Sequence, residues 1–139
     1  MSEIASEIEQ LRQRLLAALL RQRRAVRACE VVAAAAPRAA DRELIAAIRR
    51  EERRHYYLLE GLYEEWDGVP PEYRRPALSL PKQYRLMLQQ VICHKLDAVE
   101  ELEQLQEQLP CARQREWLAL VVEEQKEHAR IWAGLYDRT

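Results

Sequence analysis

Residues 51–63 have the sequence EERRHYYLLEGLY, and residues 124–136 have the sequence EQKEHARIWAGLY. Aligned without a gap at an offset of 73 positions, the two stretches share a leading Glu, a His and a Gly-Leu-Tyr triplet. The same offset relates further pairs: Glu30 and Glu103, Pro37 and Pro110, Arg42 and Arg115. Any one match could arise by chance, but two of the chain's three glycines and two of its three histidines obey it together. The sequence therefore predicts two tandem copies of one helical hairpin.

Apolar residues recur at helical spacing along four long stretches, whereas residues 67–80 contain three prolines and no such stripe. This pattern predicts an all-α, four-helix bundle in which residues 1–139 form a single domain. The expected helices cover residues 3–36, 41–66, 81–109 and 112–137, with a crossover loop over residues 67–80. Pro81 would open the third helix, since proline is favoured in a first turn. Short links within each pair and one long link between the pairs are typical of such bundles.

The composition excludes several functional classes. With 22 basic and 23 acidic residues, the chain has no net field to attract nucleic acid or a membrane surface. The basic run from Arg21 to Arg27 has no interleaved aromatic residue, which favours a solvated helix face over a nucleic-acid site. No apolar run approaches the ~20 residues of a membrane span. No nucleophile–base pair, phosphate-binding glycine loop or dinucleotide motif indicates an enzyme.

The cysteines, aromatic residues and glycines allow weaker expectations. Cys29, Cys93 and Cys111 have no metal-binding or redox spacing, which indicates reduced thiols in a cytoplasmic protein. Cys29 and Cys93 fall at or near core positions. Gly61 and Gly134 recur inside helices, which suggests a close backbone approach at both. The outward tyrosines of the second helix and the aromatic residues near the crossover either form a self-association surface or seat the loop on the bundle; these are Tyr56, Tyr57, Trp66, Tyr73 and Tyr84.

Heptad positions show a polar layer inside the predicted core. Each helix has apolar residues at its core positions above and below, and polar residues in the middle. The polar core positions are Gln22, Glu52, His55, Lys95, Gln125 and His128. The offset of 73 relates Gln22 to Lys95, Glu52 to Gln125 and His55 to His128. The six side chains are therefore expected to share one layer halfway along the bundle.

Residues 51–55 and 123–129 resemble the second and fourth helices of ferritin-like and rubrerythrin-like di-iron proteins, and the chain is most similar to the short bacterial members. In that family, helices one and three each give a Glu, and helices two and four each give Glu-x-x-His. The resemblance implies that Glu52, His55 and His128 stand at ligand positions. It also implies that Gln22, Lys95 and Gln125 stand where the family has Glu, so that the di-iron site is degenerate.

Charge decides between the uses of this layer. Two divalent irons need about four carboxylates, but here Glu52 and Lys95 already neutralise each other. A lysine beside two cations in a low-dielectric core is strongly unfavourable. We therefore expect Lys95 to occupy the vacated metal space and pair with Glu52, with the glutamines and histidines completing the hydrogen bonds. The chain would then be a non-catalytic structural or interaction protein without a cofactor, and a complete di-iron oxidase is disfavoured.

A single-metal site is the alternative. Two histidines and a carboxylate, supplied by Glu52, His55 and His128, suit one Fe, Mn or Zn ion. Glu124 lies four residues before His128 and could serve as a fourth ligand. This alternative requires the Lys95 side chain to extend out of the layer, and it implies redox or metal-storage work.

Overall fold

The computed structural model describes residues 3–67, 69, 72 and 76–139. The helices are α1 (Glu3–Ala35), α2 (Ala39–Asp67), α3 (Tyr84–Gln108) and α4 (Ala112–Asp137), and the described residues contain no strand. Helix α1 packs mainly on α2 and α3 mainly on α4, while α1 also contacts α3 and α2 contacts α4. The predicted all-α, four-helix class is confirmed. Within these described ranges, no helix combines the length and the apolar character that a membrane crossing needs.

Both hairpin turns close with the same side-chain contact. Arg42 Nη1 donates to the carbonyl of Ala36 at 2.8 Å, and Arg115 Nη1 donates to the carbonyl of Leu109 at 2.7 Å. Each accepting residue is followed by a proline, which disfavours helical backbone in the residue before it. The arginine satisfies a carbonyl that the helix end leaves without an intrahelical partner. Donors and acceptors in the two turns are 73 positions apart, so the turns are chemically equivalent.

Two apolar clusters form the core. The first contains side chains from the N-terminal half of α1, the C-terminal half of α2, the C-terminal half of α3 and the N-terminal half of α4; among them are Leu11, Leu15, Leu19, Leu59, Leu62, Leu102 and Leu118. The second contains side chains from the opposite halves, among them Cys29, Val32, Ile45, Ile48, Leu88 and Trp132. Along every helix, the predicted polar residues lie between the members of the two clusters.

The predicted start of the third helix is wrong by three residues. Pro81 lies outside α3, and Gln83, with φ −78° and ψ 131°, is the extended residue before it. Gln83 supplies the carbonyl for the first helical bond, from the amide of Met87 at 2.9 Å. Leu78 and Leu80 pack on the second apolar cluster, so the segment before the helix follows the core surface. This tertiary packing outweighs the local preference of proline for a first helical turn.

Other boundaries differ by one or two residues, within the usual uncertainty of helix ends. Helix α1 ends at Ala35, α2 begins at Ala39 and extends through Asp67, and α3 ends at Gln108. Six of the fourteen residues of the predicted crossover, Tyr73 among them, lie outside the described residues.

The expected close backbone approach at the helical glycines is wrong. A Cβ atom added at Gly61 would meet no atom within 4 Å, and one at Gly134 would meet only the end of the Arg138 side chain, at 3.9 Å. The space beside both glycines is open, so neither position requires the absence of a side chain.

Candidate metal centre and buried polar layer

All six predicted layer residues are buried, and every helix contributes at least one of them. Helix α1 supplies Gln22, α2 supplies Glu52 and His55, α3 supplies Lys95, and α4 supplies Gln125 and His128. Glu52 has no exposed surface, and even Lys95 is only 5% exposed. Buried charges are tolerated only when they are paired and hydrogen-bonded, so their partners define what the layer can do.

Glu52 accepts hydrogen bonds from the other three helices. Gln22 Nε2 donates to Glu52 Oε2 at 2.9 Å and to the Glu52 carbonyl at 2.8 Å. Lys95 Nζ donates to the same Oε2 at 2.9 Å, and His128 Nδ1 lies 2.5 Å from Oε1. Lys95 also donates to Gln125 Oε1 at 2.6 Å. Both carboxylate oxygens are therefore bound by protein donors, and the lysine joins two residues of the layer.

The two histidines make reciprocal contacts across α2 and α4. His128 Nδ1 contacts Glu52, and its Nε2 lies 2.5 Å from Glu51 Oε2. His55 Nδ1 lies 2.9 Å from Gln125 Nε2, and its Nε2 contacts Glu124 Oε2. The two rings stack with centroids 5.7 Å apart. The partners of the two histidines are therefore related by the offset of 73: Glu52 corresponds to Gln125 at Nδ1, and Glu51 corresponds to Glu124 at Nε2.

Hydrogen-bond roles fix the tautomer of His55. Because Gln125 Oε1 accepts from Lys95, its Nε2 is the donor towards His55 Nδ1. The proton of a neutral His55 ring therefore lies on Nε2 and is donated to Glu124. Burial lowers the pKa of His55 and outweighs the opposing effects of Glu52 and Glu124, so the neutral form is favoured.

The pKa values of Glu52 and His128, unlike that of His55, shift in the direction that favours the charged form. Burial by itself would raise the pKa of Glu52, but the Lys95 ammonium and His128 hold this pKa well below its usual range. Burial would lower the pKa of His128, but its bonds to Glu52 and Glu51 outweigh burial and raise it. The layer thus favours an ionised Glu52 and a readily protonated His128.

Sequence reasoning missed Glu51 as a member of the site. Its carboxylate contacts His128, whereas heptad positions place it beside the core. The signal that could have identified it is the repeat, since Glu51 is equivalent to Glu124. Glu124 itself, the expected fourth ligand, contacts His55 and pairs with Arg54 at 2.7 Å.

Comparison with solved structures identifies the architecture. The chain superimposes on a ferritin-like, diiron-carboxylate protein from Bacillus anthracis str. Ames with a TM-score of 0.84, covering 98% of this chain and 99% of that one at 17% identity. This chain has a ferritin-like fold. The ferritin-like fold that the resemblance implied is confirmed.

The protein CopM has a similar structure. Its Cu(II)-bound form gives a TM-score of 0.74 at 16% identity, covering 92% of this chain and 97% of that one. Its apo form gives 0.71 at 16% identity, covering 95% and 96%. No protein-family model and no curated protein sequence matches this chain. At these identities the similarity establishes the ferritin-like fold and nothing about activity.

The residues of the layer do not fit a di-metal centre. A ferritin-like di-iron site takes a Glu from each of four helices, but only α2 places one in this layer. In this layer, α1, α3 and α4 contribute Gln22, Lys95 and Gln125 in addition to His128. The Lys95 ammonium is bound directly to the remaining carboxylate, where it would repel metal cations.

A single ion is closer to what the donor set allows. One ligand atom each from Glu52, His55 and His128 lie within 4.8 Å of one another. Ligand atoms around a tetrahedral Zn²⁺ are about 3.4 Å apart, so His128 Nδ1 and Glu52 Oε1, now 2.5 Å apart, would have to separate while more distant donor atoms approach. Glu52 would have to exchange its contacts with Lys95 and His128 for the ion.

The remaining histidine and the cysteines are not among the three residues whose donor atoms come together. His94 is exposed on α3. Cys29 is buried, and burial raises the pKa of its thiol to about 12, which makes it unreactive. Cys93 was expected near the core but is exposed, because its position on α3 faces away from the bundle.

Proposed function

We propose that this protein is a non-catalytic ferritin-like bundle in which a hydrogen-bonded ion pair takes the place of the di-metal centre. The observation that carries the proposal is the position of Lys95 Nζ, 2.9 Å from Glu52 Oε2 and 2.6 Å from Gln125 Oε1. The ammonium supplies within the layer the positive charge that metal ions supply in a di-iron protein. Every buried side-chain nitrogen and oxygen of the six layer residues has a hydrogen-bond partner.

The role that fits this layer is structural. A buried ion pair adds little net stability over apolar residues, but removing one partner costs about 3–5 kcal/mol because the other charge is left uncompensated. An alternative helix register that separates Lys95 from Glu52 is therefore disfavoured. Glu52 has no surface that a substrate could reach, which argues against catalysis at this carboxylate.

We further propose that the protein acts in the cytoplasm through self-association. All three cysteines are free, which suits a reducing compartment. Several large apolar side chains are exposed on the helices, namely Tyr57, Leu96, Trp117 and Leu120. Equilibrium sedimentation over a hundredfold range of concentration tests the association, and a constant monomer mass would refute it.

Metal content and chelator response test the central proposal. Untagged protein is incubated anaerobically with Fe(II), Mn(II), Zn(II) or Cu(II), desalted and analysed for bound metal. Thermal unfolding is then measured with and without EDTA. We expect no stoichiometric metal and an unchanged Tm, because Lys95 and His128 already bind the Glu52 carboxylate. One ion per chain with a chelator-sensitive Tm would refute the metal-free layer.

A single-metal protein is the second candidate, favoured by the close approach of the Glu52, His55 and His128 donor atoms. The similarity to CopM, solved in a Cu(II)-bound form, adds copper to the ions that must be tested. On this alternative, the unaltered protein binds one ion per chain. His128→Ala loses the ion, and His94→Ala keeps it. His94 is the matched control because it is the chain's remaining histidine and is exposed outside the layer.

A further inference from the structure

A cationic groove lies on the outer surface of the first hairpin, away from the polar layer. It is formed by α1, α2 and Pro76 and has a volume of about 430 Å³. Among the described residues, its charged and aromatic lining comprises Arg23, Arg27, Arg49, Arg53, Tyr56 and Tyr57, and Glu30 is the one acidic residue. The full chain carries a net charge of −1, so this concentration of arginine is a local feature and not the result of a basic protein.

The charges within the groove leave an excess of positive sites. Glu30 Oε2 accepts from Arg27 at 2.8 Å, and Glu30 Oε1 accepts from Arg49 at 2.8 Å. One carboxylate is thus shared by two guanidinium groups. Arg53 is exposed and makes no ion pair with any residue in the described part of the chain. A second depression of about 460 Å³ continues past Arg53 and Tyr57 and adds Arg50.

The aromatic residues that the basic run on α1 lacks in sequence are supplied by α2. Arg23 lies 5.3 Å from the Tyr56 ring centroid and donates through Nε to the Tyr56 hydroxyl at 3.0 Å. The Tyr57 ring packs edge-on against Tyr56, with centroids 5.4 Å apart at 69°. Tyr57 nonetheless remains 58% exposed. A tyrosine that packs against a neighbouring ring and is still more than half exposed can stack with a planar ligand.

We propose that this groove binds a nucleoside phosphate. A phosphate monoester carries nearly two negative charges and three acceptor oxygens, and arginine matches this geometry with paired N–H donors. Arg53 is the principal phosphate ligand, supported by Arg27 and Arg49, and the base stacks on Tyr57. No residue of the groove belongs to the polar layer, so the proposal is independent of whether that layer holds a metal.

Titration with three phosphates of increasing complexity tests both halves of the site. Inorganic phosphate, ribose 5-phosphate and AMP are added at low ionic strength, and binding is followed by ¹H–¹⁵N NMR shifts. We expect saturable one-to-one binding, tightest for AMP, with shifts centred on residues of the groove. Arg53→Gln should weaken the binding of all three phosphates about tenfold, because one charge-assisted contact is lost. Tyr57→Leu should weaken the binding of AMP alone, because only AMP has an aromatic base that can stack on the tyrosine.

Arg14→Gln provides the matched control. Arg14 is exposed on α1 and lies outside the groove, so the substitution removes the same charge from the protein without changing the site. We expect unchanged AMP binding in this variant. An equal loss in Arg14→Gln and Arg53→Gln would indicate nonspecific attraction and overturn the proposal. Absence of saturable AMP binding, or binding of a single-stranded oligonucleotide without binding of AMP, would also overturn it.

Discussion

Lys95 Nζ lies 2.9 Å from Oε2 of Glu52, at a depth where the Glu52 side chain has no contact with solvent. The two residues come from α3 and α2; Glu52 has no access to bulk water and Lys95 is only 5% exposed, so water is a poor substitute for either partner. Within this ferritin-like fold, the contact lets the two buried charges neutralise each other without a metal ion. Its energetic consequences are large enough to measure.

Lys95→Met should destabilise the protein by about 3–5 kcal/mol, because it leaves the ionised Glu52 buried without its cation. Lys95→Met combined with Glu52→Gln should recover much of that loss, since both charges are then removed. Urea unfolding followed by circular dichroism measures the differences. Lys126→Met is the control; Lys126 is partly exposed and pairs with surface glutamates at 3.5–3.8 Å, so its loss should cost below about 0.5 kcal/mol. Equal losses at the two lysines would contradict the buried pair.

The two layer histidines should affect stability at opposite ends of the pH range. The pKa of His55 is lowered by burial, so its contribution is complete above its unfolded pKa of about 6.5 and is lost as pH falls through the lower folded value. Burial also opposes protonation of His128, but Glu52 and Glu51 raise its pKa. Its contribution is complete below about 6.5 and is lost as pH rises through the higher folded value.

Unfolding free energies measured from pH 5 to pH 9 would separate the two histidines. His55→Asn should flatten the decline of stability on the acidic side of about 6.5, and His128→Asn should flatten the decline on the alkaline side. Comparison of the two variants with each other serves as the control, because both remove an imidazole from the same layer. If both variants changed the pH profile in the same way, the different surroundings of His55 and His128 would have no effect on the pH dependence of stability.

Restoring carboxylates should restore metal affinity. Lys95→Glu with Gln125→Glu removes the ammonium and adds two acids beside Glu52, His55 and His128, which is closer to the donor set of a ferritin-like di-metal site. We expect at least one divalent ion per chain after desalting, and a Tm that falls on adding EDTA. A control with the same change of charge on the surface is Gln104→Glu with Lys126→Glu. Failure of the layer variant to bind metal, while still folded, would count against the proposed equivalence of these positions to metal ligands.

Gly61→Ala and Gly134→Ala should each stabilise the protein by about 0.5–1 kcal/mol. Glycine in a helix interior loses more backbone entropy on folding than alanine does, and the space for a Cβ atom is open at both positions. Thermal or urea unfolding measures the gain. The reverse change, Ala133→Gly on α4, should cost a similar amount. Destabilisation by either alanine would mean that the glycine has a packing role after all.

The sequence by itself determined the four helices and the location of the polar layer. Both are local properties: the apolar residues repeat with the period of a helix, and the offset of 73 positions carries each pattern into the other hairpin. Glu52, His55 and Lys95 could be assigned to one layer because a residue's position along a helix fixes its height along the axis of the bundle. The same reasoning left open which atoms would be bonded within it.

Only the tertiary structure decided the contacts between elements. Glu51 lies beside the core in the heptad pattern of α2. It contacts His128 because the packing of α4 on α2 places the two side chains at the same level of the bundle. The start of α3 was misplaced because Leu78 and Leu80 pack on the core before the helix begins. The cationic groove escaped detection because its arginines and tyrosines come from two helices and meet across their interface. Periodicity specifies which face of a helix is buried, but the distances between side chains on different helices depend on how the helices pack.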